Sequence, residues 1–346
     1  MNQFNGYSKG INLGGWLSQY QAYDHDHFNT FITETDLRQI AGWGFDHVRL
    51  PFDYPVLEDD ERPFQYKASG FEYIDRCLEW CAAYGLNLVF DLHRAPGFSF
   101  NALHESKLFT TPELQERFIR LWEAIVERYT GWDRTGLVFE LLNEVVLASS
   151  DPWNDLAHRT VERLRRIDNH HWIMVGGNFY NSVNTLNEIK LYDDPLVVYT
   201  FHYYDPLPFT HQKASWVEGL YRFDRALDYP GPLEGLVDFL GANPQYENRL
   251  GFYRHLTYLD RDLLRAYLQP AYDFMQRTGR PLYCGEFGAI ELAPMQSRVR
   301  WTRDLVELLR EAGIGYALWS YKAMDFGLVD QESRLVAADL VQAVVD

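Results

Sequence analysis

Two carboxylates stand where apolar runs end. Leu137–Leu142 leads straight into Asn143 and Glu144, and Pro281–Gly285 leads into Glu286. A short apolar run bounded in this way reads as a buried β-strand with a carboxylate at its tip. Two such groups facing one pocket can divide the work of breaking a glycosidic bond. One gives a proton to the leaving oxygen, and the other attacks the anomeric carbon or activates water. Other strand tips carry polar or large aromatic groups: Gly14-Gly15-Trp16, Arg49, His93, Asn178, His202 with Tyr204, and Trp319. Each alone has an ordinary structural explanation, an ion pair for Arg49 or core packing for Trp319. Together they point to one site, provided the strands are arranged so that these ends meet.

The elements that would position them alternate along the chain. Strands are expected at residues 10–13, 47–50, 87–92, 136–142, 172–176, 196–201, 281–285 and 314–318. Helices are expected between them, at 34–43, 71–84, 112–129, 153–167, 182–190, 261–277, 298–311 and 333–345. Thr111 before Pro112 is a helix-start signal, and Gly85 and Gly279 sit where helices should stop. Eight β/α units in one run predict an α/β fold, a (β/α)8 TIM barrel, whose site lies at the C-terminal ends of the strands. A doubly wound sheet would carry a glycine-rich phosphate loop, and Gly14-Gly15 does not open the helix such a loop needs. The stretch 202–280 is far longer than a β-to-α crossover requires. It predicts a helical insertion over 206–258, between strand 6 and helix 6 at the C-terminal face of a single domain spanning 1–346.

Composition narrows the function further. Of 346 residues, 47% are hydrophobic and 23% charged, a globular balance. The net charge of −17 disfavours nucleic acid and anionic membranes as partners. It suits a neutral ligand, as do ten Trp and 23 Tyr, whose rings stack on the apolar faces of sugars. Cys77, Cys81 and Cys284 form no disulfide or zinc pattern and are expected to be structural thiols. Asp24-His25-Asp26-His27 has a metal-like look, but it is expected in a loop without a supporting shell. His170-His171 is expected at the surface. Glu140 and Asp91 sit deeper than Glu144 and His93, in paired structural roles. No cofactor or metal is expected. The N-terminus shows no export signal, so a cytoplasmic location is expected, or a secreted one if a signal was removed. A monomer is expected.

Several segments together resemble glycoside hydrolase family 5 of clan A, and within it the clostridial endoglucanase C type. They are Lys9–Gln21 (KGINLGGWLSQYQ), Gly44–Pro55 (GFDHVRLPFDYP), Phe139–Val146 (FELLNEVV), Phe209–Ala214 (FTHQKA) and Leu282–Gly288 (LYCGEFG). The resemblance covers nearly the whole chain and implies a (β/α)8 barrel with an insertion before the seventh strand. It implies that Glu144 is the acid/base and Glu286 the nucleophile. It further implies that Arg49, His93, Asn143, His202, Tyr204 and Trp319 support the substrate. One position departs: a second His often follows the one matching His93, and this chain has Arg94 there.

Residue chemistry fills in the expected mechanism. Arg49 and the Tyr204 hydroxyl should hold Glu286 ionised, and the like charge of Glu286 should raise the pKa of Glu144. Asn143 is placed for the sugar 2-hydroxyl, and Trp319 for a floor under the ring. Trp16, Tyr20, Tyr180, Tyr203 and Trp216 are further candidates for sugar-facing rings. The resulting expectation is a retaining endo-hydrolase of β-1,4 or mixed β-1,3/1,4 glucans and cello-oligosaccharides. Exo action, a β-1,3-glucanase or a β-mannanase on the same machinery is the alternative. A non-catalytic sugar-binding barrel and a metal-dependent hydrolase using His93 and His202 are the readings from other classes.

Overall fold

The computed structural model describes residues 4–101 and 106–346. Eight parallel strands close into a barrel. They are β1 Lys9–Asn12, β2 His47–Asp53, β3 Asn87–Arg94, β4 Leu137–Glu140, β5 Trp172–Gly176, β6 Val197–Tyr203, β7 Leu282–Phe287 and β8 Gly315–Leu318. β1 pairs with both β2 and β8, which closes the ring. All eight expected strands are present. The outer layer holds α1 Glu34–Trp43, α2 Ala68–Tyr84, α3 Pro112–Tyr129, α4 Asp151–Leu164, α5 Gln269–Thr278, α6 Met295–Glu311 and α7 Ala338–Val345. The left-handed glycines Gly85 and Gly279 end α2 and α5, as their positions predict.

Four expectations need correction. The fifth unit has no full α-helix: its outer segment is a 3-10 turn, Val183–Glu188, with Asn and Thr where a helix would want better formers. The expected helix 261–277 is two pieces, Arg261–Tyr267 and α5, broken at Leu268 just before the Pro270 that follows Gln269. Asp24–His27 is not a loop, because Asp24 caps a short helix, His25–Thr30, by accepting from the Asp26 amide. The stretch after β6 is not purely helical. Helices Leu207–Thr210, Glu218–Phe223, Leu236–Ala242 and Glu247–Leu250 accompany a two-residue antiparallel ladder, Gly231–Pro232 against Tyr258–Leu259.

The barrel interior is layered, and the layers explain what the top can carry. At the bottom, Val89, Val138, Met174, Val198, Tyr283 and Ala317 fill the ring, with Tyr7 beneath them. At this same end His47, the first residue of β2, packs beside Tyr7 and bonds the Tyr283 hydroxyl at 2.6 Å. Gly10 permits this, since a Cβ there would come within 2.1 Å of the imidazole. Higher still the lining turns polar and charged. Strand alternation is what allows it, because inward residues can be ionic while outward ones pack on the helices. Among the described residues no helix is long and apolar enough to cross a membrane.

Candidate active site

Arg49 organises the upper barrel. It lies in the middle of β2 rather than at its tip, fully buried. Its Nε and Nη2 grip Glu140 at 2.7 and 3.0 Å. Nη2 also donates to Asn143 Oδ1 (2.9 Å), and Nη1 donates to Asn12 Oδ1 (2.9 Å) and Glu286 Oε1 (2.8 Å). All five guanidinium donors are thereby engaged, which fixes the group rigidly. Asp91 stands 3.0 Å from Nη2. One cation thus faces three carboxyl groups, in a place that disfavours charge. Burial pushes Asp91 up to about 7 and raises Glu140, with Arg49 pulling both back. Glu140 and Asp91 are therefore the deep supports expected of them.

Glu286 and Glu144 face each other above this layer, with one oxygen of each within 4.8 Å. Glu286 owes its position to a bulge. Cys284 is opposite Phe201 but Glu286 is opposite His202, so β7 spends two residues against one. The extra residue is Gly285, whose absent Cβ would meet Thr200 Oγ1 at 2.9 Å and His202 Nε2 at 3.2 Å. Tyr204 donates its hydroxyl to Glu286 Oε2 at 2.9 Å. Glu144 follows β4 in a left-handed backbone conformation, φ 44°, a costly one for a residue with a side chain. Its Oε1 lies 2.9 Å from His202 Nδ1. The Asn181 amide donates to His202 Nε2 at 3.3 Å, so Nδ1 carries the proton and donates to Glu144. Burial, with Arg49 and His93 nearby, holds His202 well below its ordinary value, hence neutral.

The two carboxyls are not equivalent. Burial holds Glu144 well above the ordinary glutamate range, and the charge of Glu286 adds to this. Burial is the larger cause, where sequence reasoning named only the like charge. Glu286 is also raised by burial, but Arg49 opposes the rise, and the Tyr204 hydrogen bond helps. The proton therefore resides on Glu144. The geometry suits proton donation from one carboxyl beside an anion on the other.

His93 completes the near wall. Its Nδ1 donates to Asp91 Oδ2 at 2.7 Å, and its Nε2 accepts from the Gln19 amide at 3.0 Å. Burial lowers it to about 4. Its ring lies parallel to Trp319, with centroids 5.8 Å apart. Trp319 in turn lies against Gly14, where a Cβ would come within 2.8 Å of the indole. Arg49 fixes the Asn143 amide through its oxygen, and Asn143 Nδ2 is buried without a hydrogen-bond partner. Arg49, His93, Asn143, Glu144, His202, Tyr204, Glu286 and Trp319 are thus gathered at one end of the barrel.

Other tip residues lie elsewhere. Asn178, just past β5, ties its segment to the one that follows β4, accepting from the Leu147 amide and donating to the Leu147 carbonyl. Trp16 is fully buried and donates to the Phe28 carbonyl. Tyr203 is fully buried and donates to the Leu264 carbonyl, since the residue after inward-facing His202 points outward. Neither ring can face a sugar. Tyr20 and Tyr180 are partly open, and Trp216 is 52% exposed. Asn12, Gln19 and Asn181 escaped sequence reasoning. Asn12 was the most accessible of them, as an inward polar residue in register with Arg49.

Two acid and His groups among the described residues have ligand-like spacing. One is Glu144, His202 and Glu286, the centre just described. In the other, His171 Nδ1 meets Asp168 Oδ2 at 2.6 Å and Nε2 meets the Trp132 carbonyl at 3.1 Å, so both nitrogens are occupied. His171 is buried, contrary to the surface position expected of it, while His170 is exposed. All three cysteines are buried free thiols.

Comparison with known proteins bears on this arrangement. The family model for cellulase (glycosyl hydrolase family 5) matches residues 5–325. Endoglucanase C of Acetivibrio thermocellus is 46% identical over 335 residues, 97% of either chain. Cellodextrinase A of Ruminococcus flavefaciens is 36% identical over 89% of this chain and 84% of its own. Endoglucanase Cel5A of Thermotoga maritima superposes with a TM-score of 0.78 at 26% identity, covering 98% of this chain and 97% of that one. Solved structures of that enzyme include complexes with cellobiose and with mannotriose. The paired carboxylates thus sit in a framework shared from end to end with glycoside hydrolases, and the chain belongs to glycosyl hydrolase family 5.

Proposed function

We propose that the chain hydrolyses β-glucosidic bonds within β-1,4 or mixed β-1,3/1,4 glucans and their oligosaccharides, with retention at the anomeric carbon. The observation that carries this reading is the unequal carboxyl pair. Glu286 is held by Arg49 and Tyr204, Glu144 by neutral His202, and one oxygen of each lies within 4.8 Å. That spacing belongs with the roughly 5–5.5 Å of retaining enzymes, not the roughly 6.5–9.5 Å that leaves room for an inverting water.

In this reading Glu286 attacks the anomeric carbon while Glu144 gives its proton to the departing oxygen. A covalent glycosyl ester forms on Glu286, whose negative charge disappears. The pKa of Glu144 then falls, and it takes a proton from the water that opens the ester. Asn143 Nδ2, a buried donor without a partner, bonds the 2-hydroxyl of the attacked sugar, a contact that tightens in the transition state. Trp319 floors that sugar.

The test is proton NMR of the first product formed from cello-oligosaccharides and from barley glucan. Initial release of the β-anomer is expected, and initial α-anomer would overturn the reading. Endo action is checked on the same polymer: viscosity should collapse before reducing ends accumulate. β-Mannan, offered in parallel, measures how far the same machinery tolerates an axial 2-hydroxyl.

A further inference from the structure

One buried cation lies outside the Arg49 layer. Arg298 stands in the first turn of α6 and is 3% exposed. A helix start favours anions, yet the first turn of α6 has no acidic residue. Among the described residues Arg298 forms no ion pair. Burial pushes it down to about 10, and the exposed Glu291 opposes this only in part. Burying a charge is unfavourable, and here only hydrogen bonds offset it. Those bonds go to two backbone carbonyls: Nε donates to Ala289 at 3.0 Å, and Nη2 to Phe326 at 3.4 Å.

Both carbonyls belong to segments that leave the site. Ala289 lies just past β7, the strand of Glu286, and Phe326 lies in the segment that follows β8 and Trp319. Backbone bonds tie these segments to each other and to the one after β6. Glu291 N donates to the Asp325 carbonyl at 2.7 Å, and Ile290 N to the Thr210 carbonyl at 2.8 Å. Gly288 lets them close tightly, since a Cβ there would meet the Trp319 carbonyl at 2.6 Å and the Phe326 ring at 3.1 Å. The Phe326 ring in turn stands edge-on to Tyr204, with centroids 6.1 Å apart, and to His211 at 5.4 Å. Tyr204 is the residue whose hydroxyl bonds Glu286 Oε2. Contacts therefore run without a break from Arg298 through Phe326 and Tyr204 to Glu286.

We propose that Arg298 is a positioning residue: by bridging the Ala289 and Phe326 carbonyls it fixes the ring that backs Tyr204, and so keeps the Tyr204 hydroxyl on Glu286. This rests on the retaining reading, with Glu286 as the attacking group. Glu286 is faced by Arg49 from β2, Asp91 and His93 from β3, Glu144 beyond β4, His202 and Tyr204 at the end of β6, and Cys284 of its own strand. Of these, Arg49 and Tyr204 donate hydrogen bonds to it. Loss of the Tyr204 bond disfavours the anion, so Glu286 would ionise at a higher pH.

The test is the acid limb of kcat/KM for 2,4-dinitrophenyl β-cellobioside, whose leaving group needs no proton. Arg298→Met should move that limb to higher pH. Tyr204→Phe should move it further, by about one pH unit, as expected for one hydrogen bond to a carboxylate. Arg298→Lys, which can still donate to one carbonyl, should recover part of the shift. In the Tyr204→Phe background Arg298→Met should add no further shift, since both act on the same bond. Phe326→Leu leaves the guanidinium in place and removes the ring, so it should shift the limb as Arg298→Met does, even if Arg298→Met folds poorly. An unmoved limb in these variants, with only a lower unfolding midpoint, would make Arg298 a prop of the barrel rim. A shift that persists undiminished in the Tyr204→Phe background would mean that Arg298 acts by another route. Either result overturns the proposal. The broader reading would fail separately, if Glu286→Ala kept unassisted turnover of the same substrate.

Discussion

Arg49 spends a single positive charge on a site that contains Asp91, Glu140 and Glu286, and the protonation pattern follows from that shortage. Glu144 receives no bond from Arg49, and burial beside the charge of Glu286 holds it well above the ordinary glutamate range. Turnover needs Glu286 ionised and Glu144 protonated. It should therefore fall as pH drops through the pKa of Glu286 and fall again as pH rises through that of Glu144. Both limits lie above the ordinary glutamate value, because burial raises both groups. In Glu144→Ala acting on an activated aryl glycoside, the alkaline limb of kcat/KM should vanish, since departure no longer needs that proton. A surviving limb would assign it to another group. The same variant should lose about 10²–10⁴-fold on unactivated glucan, the usual worth of a general acid. Added azide should then yield a β-glycosyl azide. Glu286→Ala should lose at least as much on every substrate without an added nucleophile, and any product that azide traps should be the α-glycosyl azide; substantial unassisted turnover would misplace the nucleophile. These two carboxylates were legible because a charged residue directly after an apolar run stands out. Asn12, Gln19 and Asn181 were not, since a lone amide near a strand end is commonplace. Trp16 and Tyr203 misled because aromatic identity was read without the direction in which alternation turns the ring.

At the scale of elements, the strands were legible and the departures from ideal strands were not. Period and apolar content mark where β7 lies, but only register reveals that Gly285 is an extra residue lifting Glu286 to face His202. The same holds on β3, where the register shifts so that Asp53 is opposite Arg94. Helix starts and stops encoded by Pro and Gly survived into the structure, whereas the fifth unit contracted to a 3-10 turn. There Gly176 leaves room for the Asn181 amide, which a Cβ would meet at 2.4 Å, so packing around His202 overrode a weak helical pattern. Two glycines separate function from stability. Gly285→Ala should press on Thr200 and His202 and lower kcat tenfold or more, taking about 1.4 kcal/mol of misplacement at the transition state. KM and the unfolding midpoint should change little. Gly315→Ala would put a Cβ 1.9 Å from the Tyr7 carbonyl, far from the chemistry. It should cost about 1–3 kcal/mol of stability by denaturant unfolding while sparing kcat. If the two variants exchanged phenotypes, the bulge would not be what aims Glu286.

The whole molecule carries a net charge of −17, and much of its arginine is already paired at the surface, as in Arg261 with Glu307 and Glu311 or Arg334 with Asp330 and Glu332. A neutral glucan feels no net force from such a field. A polyanion is repelled, and the repulsion is screened over about 10 Å at 0.1 M salt but only 3 Å at 1 M. Two glucans differing only in charge should therefore respond differently to salt. For carboxymethyl cellulose, KM should fall severalfold as sodium chloride rises from low to near-molar concentration. For barley glucan it should stay within about twofold, because burial of uncharged rings and hydroxyls is insensitive to screening. The cleft itself sharpens the contrast. Its reactive end presents one protonated and one anionic carboxyl, and its one buried guanidinium is fully engaged with its own neighbours. Among the described residues of that catalytic layer no free cation is set to attract an anion, so recognition must come from shape, stacking and hydrogen bonds. Equal salt responses for the two polymers would show that the field does not reach the cleft, and that the acidic surface serves solubility alone.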